Sequence, residues 1–125
     1  MPQEPPRLLI ADADPQTRSL LALLLSADAY QVDAAPSLMH AGRHAVERAD
    51  LILADGCYTT HAAFATAAPR ILAAAGGTPV VLLSALSLEP DKARAHGFRD
   101  ALPKPFDIDD LVACVRAALA HMAVA

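Results

Sequence analysis

The sequence predicts an α/β fold, a doubly wound five-stranded parallel sheet with helices on both faces. Three observations carry that prediction. Leu8–Ala11, Leu51–Ala54 and Val80–Leu83 are unbroken apolar runs of strand length, the pattern of a strand buried on both sides. Each run stops at polar groups: Asp12-Ala13-Asp14, Asp55 and Ser84. Between the runs lie stretches rich in Ala and Leu, which are strong helix formers, so strands and helices alternate. With right-handed crossovers, that alternation builds a parallel sheet covered on both faces.

Met1 to Pro6 reads as a flexible leader and Arg7 to Ala11 as the first strand. Asp14 stands in the N-cap position with Pro15 as the first helical residue. The helix they open runs through Leu20, Leu21, Leu23, Leu24 and Leu25 to about Ala27. Tyr30 to Ala34 alternates and predicts a second strand. Pro36-Ser37 opens a second helix that ends near Arg48, and the third strand lies within Asp50 to Asp55. Thr60 to Ala75 is helical in composition, with a break or kink expected at Pro69, which lacks a donor and crowds the preceding turn. Gly76-Gly77 ends that helix, and Thr78 to Ser84 forms the fourth strand. Glu89-Pro90 starts a fourth helix, stopped by Gly97 as a left-handed cap. A short fifth strand covers Asp100 to Leu102. The last helix starts near Asp107, with Ile108, Leu111, Val112, Val115 and Leu119 along one face. Residues 7–121 thus form one domain, between a leader at 1–6 and a tail at 122–125.

Composition narrows the function classes. A chain of 125 residues supports one core and no second module. With 54% hydrophobic but only 4% aromatic residues, that core is expected to be built of small, closely packed side chains. A net charge of −4 argues against a nucleic-acid surface, which needs a basic face. No apolar run approaches the roughly 20 residues of a membrane span, and the N-terminus lacks the parts of a signal peptide. Cys57 and Cys114 lie far apart, without metal-type spacing, and read as reduced thiols of a cytoplasmic protein.

The strand ends fall on the sheet edge where open α/β folds place ligand chemistry. Asp12, Asp14 and Asp55 bring carboxylates there, Ser84 a hydroxyl, and Lys104 an ammonium after the fifth strand. This set suits a divalent cation and a phosphoryl group. Hard cations take carboxylate and carbonyl oxygens, and a phosphorylated side chain carries close to two negative charges that need a cation and donors nearby.

The element order, the acid ending the third strand, the Ser84-Ala85 pair and Lys104-Pro105-Phe106 together resemble the receiver domain of two-component response regulators. That is the CheY-like, flavodoxin-like receiver type, and the resemblance covers Arg7 to about Ala120. It implies that a histidine kinase, a phosphotransfer protein or a small phosphodonor passes a phosphoryl group to Asp55. The domain would not be an enzyme beyond self-phosphorylation and autodephosphorylation. The resemblance also implies magnesium, held by Asp12, Asp55 and the Cys57 carbonyl, with Asp14 as a further ligand if it swings inward. Ser84 would bond one phosphoryl oxygen and Lys104 another, and Lys104–Pro105 would be a cis peptide. A downstream protein partner or output domain, and a homodimer, complete the implied partners; nucleic acid and membrane are not among them.

Three departures stand beside the match. Receivers usually end the first strand with two adjacent acids, and Ala13 occupies the second position. The site is therefore expected to be atypical and to bind magnesium weakly. Ala101 stands where the family commonly has Tyr or Phe three residues before the lysine. The loop after Asp55, Gly56-Cys57-Tyr58-Thr59-Thr60, lacks the common proline. Readout of phosphorylation should differ accordingly, and Cys57 and Leu86 should influence the phosphoryl lifetime.

Two rival readings follow. One is a degenerate receiver that works as a protein–protein interaction module without phosphorylation, through Lys92, Asp100, Asp110 and Arg116 on its fourth and fifth helices and last strand. The other is a phosphatase of the haloacid-dehalogenase type, because Asp12-Ala13-Asp14 and Ser84 fit its Asp-x-Asp and later Ser pattern. His40 and His44, spaced i and i+4 with Glu47 one turn on, could hold a metal in principle. The plainer reading makes them solvent-facing, as with His61, His96 and His121.

Overall fold

A computed structural model describes residues 5–56, 60–84 and 88–122, with side chains as far as residue 120. Expectations that concern Met1 to Glu4, Cys57, Tyr58, Thr59, Ala85, Leu86, the His121 side chain and the tail from Ala123 lie outside the described residues. The elements follow one another as β1 (Arg7–Ala11), α1 (Pro15–Ala27), β2 (Gln31–Ala35), α2 (Leu38–Arg48), β3 (Leu51–Gly56), α3 (His61–Ala75), β4 (Val80–Ser84), α4 (Pro90–Ala95), β5 (Asp100–Pro103) and α5 (Ile108–Met122). The five strands pair in parallel in the order β2-β1-β3-β4-β5. This is the doubly wound sheet expected from the apolar runs. Pro6 belongs with the sheet rather than with a free leader, since its carbonyl accepts the Gln31 N–H at 3.0 Å.

Because side chains alternate across a strand, the continuous runs serve two layers at once. Leu9, Ile52 and Leu82 pack with Val46, Phe64 and Ala68 in the layer made with α2 and α3. Leu8, Ile10, Leu51, Leu53, Val81 and Leu83 face the other way, onto Leu21 and Leu25 of α1 and Leu111 and Val115 of α5. Full burial of each Leu or Ile here is worth roughly 1.5–3 kcal/mol, and it depends on the helices that cover both faces of the sheet. Strand addition reverses between β2 and β3, on either side of β1. The carboxyl ends of β1 and β3 therefore border the crevice left by that reversal.

Three local outcomes refine the sequence reading. Helix α3 runs unbroken through Pro69, against the expected break. Pro69 and Ala65, whose carbonyl loses its partner, are both exposed, so water can take the freed acceptor. Helix α2 instead carries the interruption: Gly42 is non-helical, at φ 83° and ψ 162°. Gly97 adopts φ 107° just after α4, the left-handed stop the sequence called for. Among the described residues no helix is long and apolar enough to cross a membrane.

Candidate functional site

Three strands deliver charge to one point. Asp12 follows β1, and its N–H extends the ladder to the Ala35 carbonyl at 3.1 Å. Its side chain is fully buried. Oδ1 accepts the Asp14 N–H at 2.9 Å, which turns the chain into α1. Oδ2 accepts the Lys104 ammonium at 2.9 Å. The Asp12 carbonyl accepts from Arg18 Nη1 at 2.8 Å, so both ends of this residue are tied down.

Asp55 is the last but one residue of β3, with its side chain 8% exposed. Lys104 follows β5 and is anchored by its own N–H, which donates to the Ser84 carbonyl at 2.8 Å. From there its Nζ donates to Asp55 Oδ1 at 2.9 Å, the same distance as to Asp12. One ammonium thus bridges two carboxylates that are 43 residues apart in sequence. Burial alone would lower the Lys104 pKa, but the hydrogen bonds it donates to Asp55 and Asp12, with their charges, outweigh it and raise it above the ordinary 10.5. The Lys104–Pro105 peptide is cis, in accord with the expectation.

Ser84 closes the site from β4. It lies opposite Gly56 in the sheet register, is buried, and donates its hydroxyl to the Gly56 carbonyl at 2.9 Å. Among the described residues no buried side-chain nitrogen or oxygen lacks a partner. Asp12, Asp55 and Lys104 join side chain to side chain, and Ser84 ends the neighbouring strand, its carbonyl tied to the Lys104 N–H.

Asp14 does not join them. It is exposed and caps α1, accepting the Gln16 and Thr17 N–H groups, both at 3.3 Å, and the Thr17 hydroxyl at 2.6 Å. The Thr17 hydroxyl is the main cause that holds its carboxyl below the ordinary 3.8. This geometry also gives the phosphatase reading no general acid at Asp14.

The expected weak magnesium site requires correction. Ala13 was to have cost the site an acid, yet Asp12 and Asp55 are both intact, and each forms a salt bridge with Lys104. Among the described residues no group of three His, Cys, Asp or Glu gathers as a metal site. The charged groups therefore form a carboxylate–ammonium–carboxylate bridge, with no sign in them of an atypical centre.

The other named residues scatter. Lys92 and Asp110 are exposed, whereas Asp100 is half-buried and engages Arg94 Nη2 at 3.6 Å and the Cys114 thiol at 3.7 Å. Arg116 reaches Asp28, at the end of α1, at 3.6 Å, away from the face assigned to it. His40 binds Ser37 Oγ through Nδ1 at 2.8 Å. The turn at Gly42 separates it from His44, so the i, i+4 spacing does not sit on one regular helix. Sequence reasoning passed over Arg18, whose place six residues after Asp12 could have marked it. It also missed Arg70 of α3, which lines a groove of about 370 Å³ reaching Asp55. A larger hollow of about 830 Å³ lies at the amino edge of the sheet, by Thr78 and Arg99, remote from the four site residues.

No protein-family model matches the chain. Among curated proteins it is similar to the DNA-binding transcriptional regulator NtrC of Rhizobium meliloti (strain 1021), with 34% identity over 117 residues, covering 91% of this chain and 24% of that protein. It is likewise similar to the DNA-binding dual master transcriptional regulator RpaA of Synechocystis sp., with 34% identity over 119 residues, covering 91% of this chain and 49% of that one. The chain thus spans half or less of the length of these two relatives. Among solved structures, a two-component response regulator from Clostridium difficile superposes with a TM-score of 0.73 at 24% identity, over 94% of this chain and 98% of that one. Chemotaxis protein CheY4 of Vibrio cholerae superposes at 0.67 and 22%, over 92% and 99%. At these identities the structural likeness is one of fold.

Proposed function

We infer, for a chain that belongs to the CheY-like receiver domains of response regulators, that Asp55 is the acceptor of a phosphoryl group in two-component signalling. The observation that carries this reading is the shared Lys104 ammonium, 2.9 Å from both Asp12 and Asp55. It holds the Asp55 carboxylate in place at a strand end and offers a cation to the charge that phosphorylation adds.

The step is a displacement at phosphorus. A carboxylate oxygen of Asp55 forms the new O–P bond as the P–N bond of a phosphohistidine breaks, and the imidazole leaves. Lys104 then moves with the added charge from the carboxylate to a phosphoryl oxygen, while Asp12 keeps it aligned from beneath. Ser84 turns its hydroxyl from the Gly56 carbonyl to a second phosphoryl oxygen. Both donors already stand at the strand ends, so each needs only a local change of acceptor. The domain comprises residues 7–121 and catalyses only its own phosphorylation and dephosphorylation.

Receiver domains interact with histidine kinases and phosphotransfer proteins, and we assign this chain a donor of that class in the cytoplasm. Its signal passes on to a protein partner or output domain. The test is intact-protein mass after incubation with acetyl phosphate in a divalent-cation buffer. A gain of one phosphoryl group, absent in Asp55→Asn and retained in Asp14→Asn, is the expected result. A gain that survives Asp55→Asn, or none with either acetyl phosphate or a panel of histidine kinases, overturns the assignment.

A further inference from the structure

Charge is unevenly spread over the surface. Helices α2 and α3 carry Arg43, Arg48 and Arg70 against one acid, Glu47, although the whole chain is net −4; Arg48 is paired with Asp33, and Arg70 lines a groove. The groove of about 370 Å³ opens over the carboxyl ends of β1 and β3, from Ala13 and Asp55 out to Arg70 and Ile71 of α3 and Leu38 and Met39 of α2. Met39, 89% exposed, adds apolar surface to the rim of this groove. Asp55, where the groove meets the site, already has its charge met by Lys104. Ala13 adds a methyl to the lining instead of a further acid.

The chain carries the complement of this surface. Where α5 begins, Ile108 is 53% exposed and lies among Asp107, Asp109 and Asp110, all exposed. No basic residue follows until Arg116. This is an apolar knob inside an acidic collar, and the groove is a largely apolar slot beside the Arg70 guanidinium. Pairing of opposite potentials around an apolar centre is how specific protein contacts gain register.

We propose that two copies of this chain associate head to tail, with Ile108 of one entering the α2–α3 groove of the other and the Asp107–Asp110 collar facing Arg70. The two patches differ, so the contact is heterologous, and each copy keeps one groove and one knob free for another.

Sedimentation velocity over a range of concentrations tests this, using the full chain, Arg70→Glu, Ile108→Asp and an equimolar mixture of the two variants. Both substituted residues are solvent-exposed, and circular dichroism checks that each variant is folded. The wild type should associate progressively, and each variant alone should weaken association by at least about tenfold. The mixture should recover a dimer and nothing larger, because the intact knob of Arg70→Glu still fits the intact groove of Ile108→Asp. Three outcomes would overturn the proposal: a wild type monomeric at every concentration, association that survives either variant, or a mixture that stays monomeric. Binding of a synthetic acidic peptide to a wild type that remains monomeric would likewise exclude a second copy as the occupant.

Discussion

Lys104 Nζ lies 2.9 Å from Oδ2 of Asp12, a carboxylate with no solvent exposure at all. Removing the ammonium would leave a buried charge whose remaining partner, among the described residues, is the Asp14 N–H. Breaking such a pair from one side is costly, though less so here because the Lys104 side chain is 20% exposed. Lys104→Met should lose about 1–3 kcal/mol in urea denaturation, and adding Asp12→Asn should restore part of the loss. If the double variant is no more stable than Lys104→Met, the ion pair is not the source of the effect.

The same ammonium sets an alkaline limit. Its pKa is raised on folding, so its contribution is complete below the unfolded value of 10.5 and is lost as pH rises through the higher folded value. The melting-temperature gap between wild type and Lys104→Met should therefore stay level from neutral pH to about 10 and narrow beyond 10.5. A gap that closes between pH 6 and 9 would contradict the assignment.

Asp14 has the opposite sign. Its carboxyl is held below 3.8 chiefly by the Thr17 hydroxyl, so the cap stabilises above that pH and its effect fades as pH falls through the lowered folded value. Asp14→Ala should melt below wild type at neutral pH, and the difference should shrink in acid. Thermal scans from pH 7 down to 3 would show a constant difference if the cap played no such part.

Two backbone positions should respond in opposite directions. A Cβ on Gly97 would stand 2.8 Å from Leu72 Cδ1, at φ 107°, so Gly97→Ala should cost roughly 1–3 kcal/mol. Ala29 is an exposed non-glycine residue at φ 70°. There Ala29→Gly relieves strain of about 1–2 kcal/mol, against an entropy loss of roughly 0.4–1 kcal/mol. A small net gain in chemical denaturation is expected for Ala29→Gly, and a clear loss for Gly97→Ala.

Cys114 should be chemically quiet. Burial, with the nearby Asp100 carboxylate, pushes its thiol up to about 12, and the thiolate is the reactive form. In a Cys57→Ser background, native protein should resist iodoacetamide at neutral pH and react once unfolded. Rapid native labelling would show that the thiol is neither buried nor paired as described.

The fold was legible because its signals are local. A four-residue apolar run between acids, as at Leu51–Ala54, suits little else than a buried strand, and strand ends of a parallel sheet meet at one edge. Hence Asp12, Asp55, Ser84 and Lys104 could be named before their contacts were known. Pro69 misled because its effect depends on which side of α3 faces water, and the three-dimensional packing decides that. The turn at Gly42 was hidden in a pattern that reads as continuous helix from Leu38 to Arg48. Ala13 invited an argument from what was missing, whereas the bridge made by Lys104 depends on the reach of a side chain from a distant strand. The Arg70 groove arises where α2 and α3 meet the ends of β1 and β3, and it has no signature in any one of them alone.

Asp33 of β2 accepts from Arg7 Nη1 at 3.4 Å and from Arg48 Nε at 3.2 Å. Strand β2 lies at the margin of the sheet, where unpaired backbone groups could template an added strand and seed fibrils. Two guanidinium groups gathered over a short, half-buried margin make such zippering unfavourable. The opposite margin, β5, is four residues long and ends in Pro103, a residue with no N–H to offer. Both margins of the sheet are thus guarded against edge-to-edge fusion when copies of this chain crowd together.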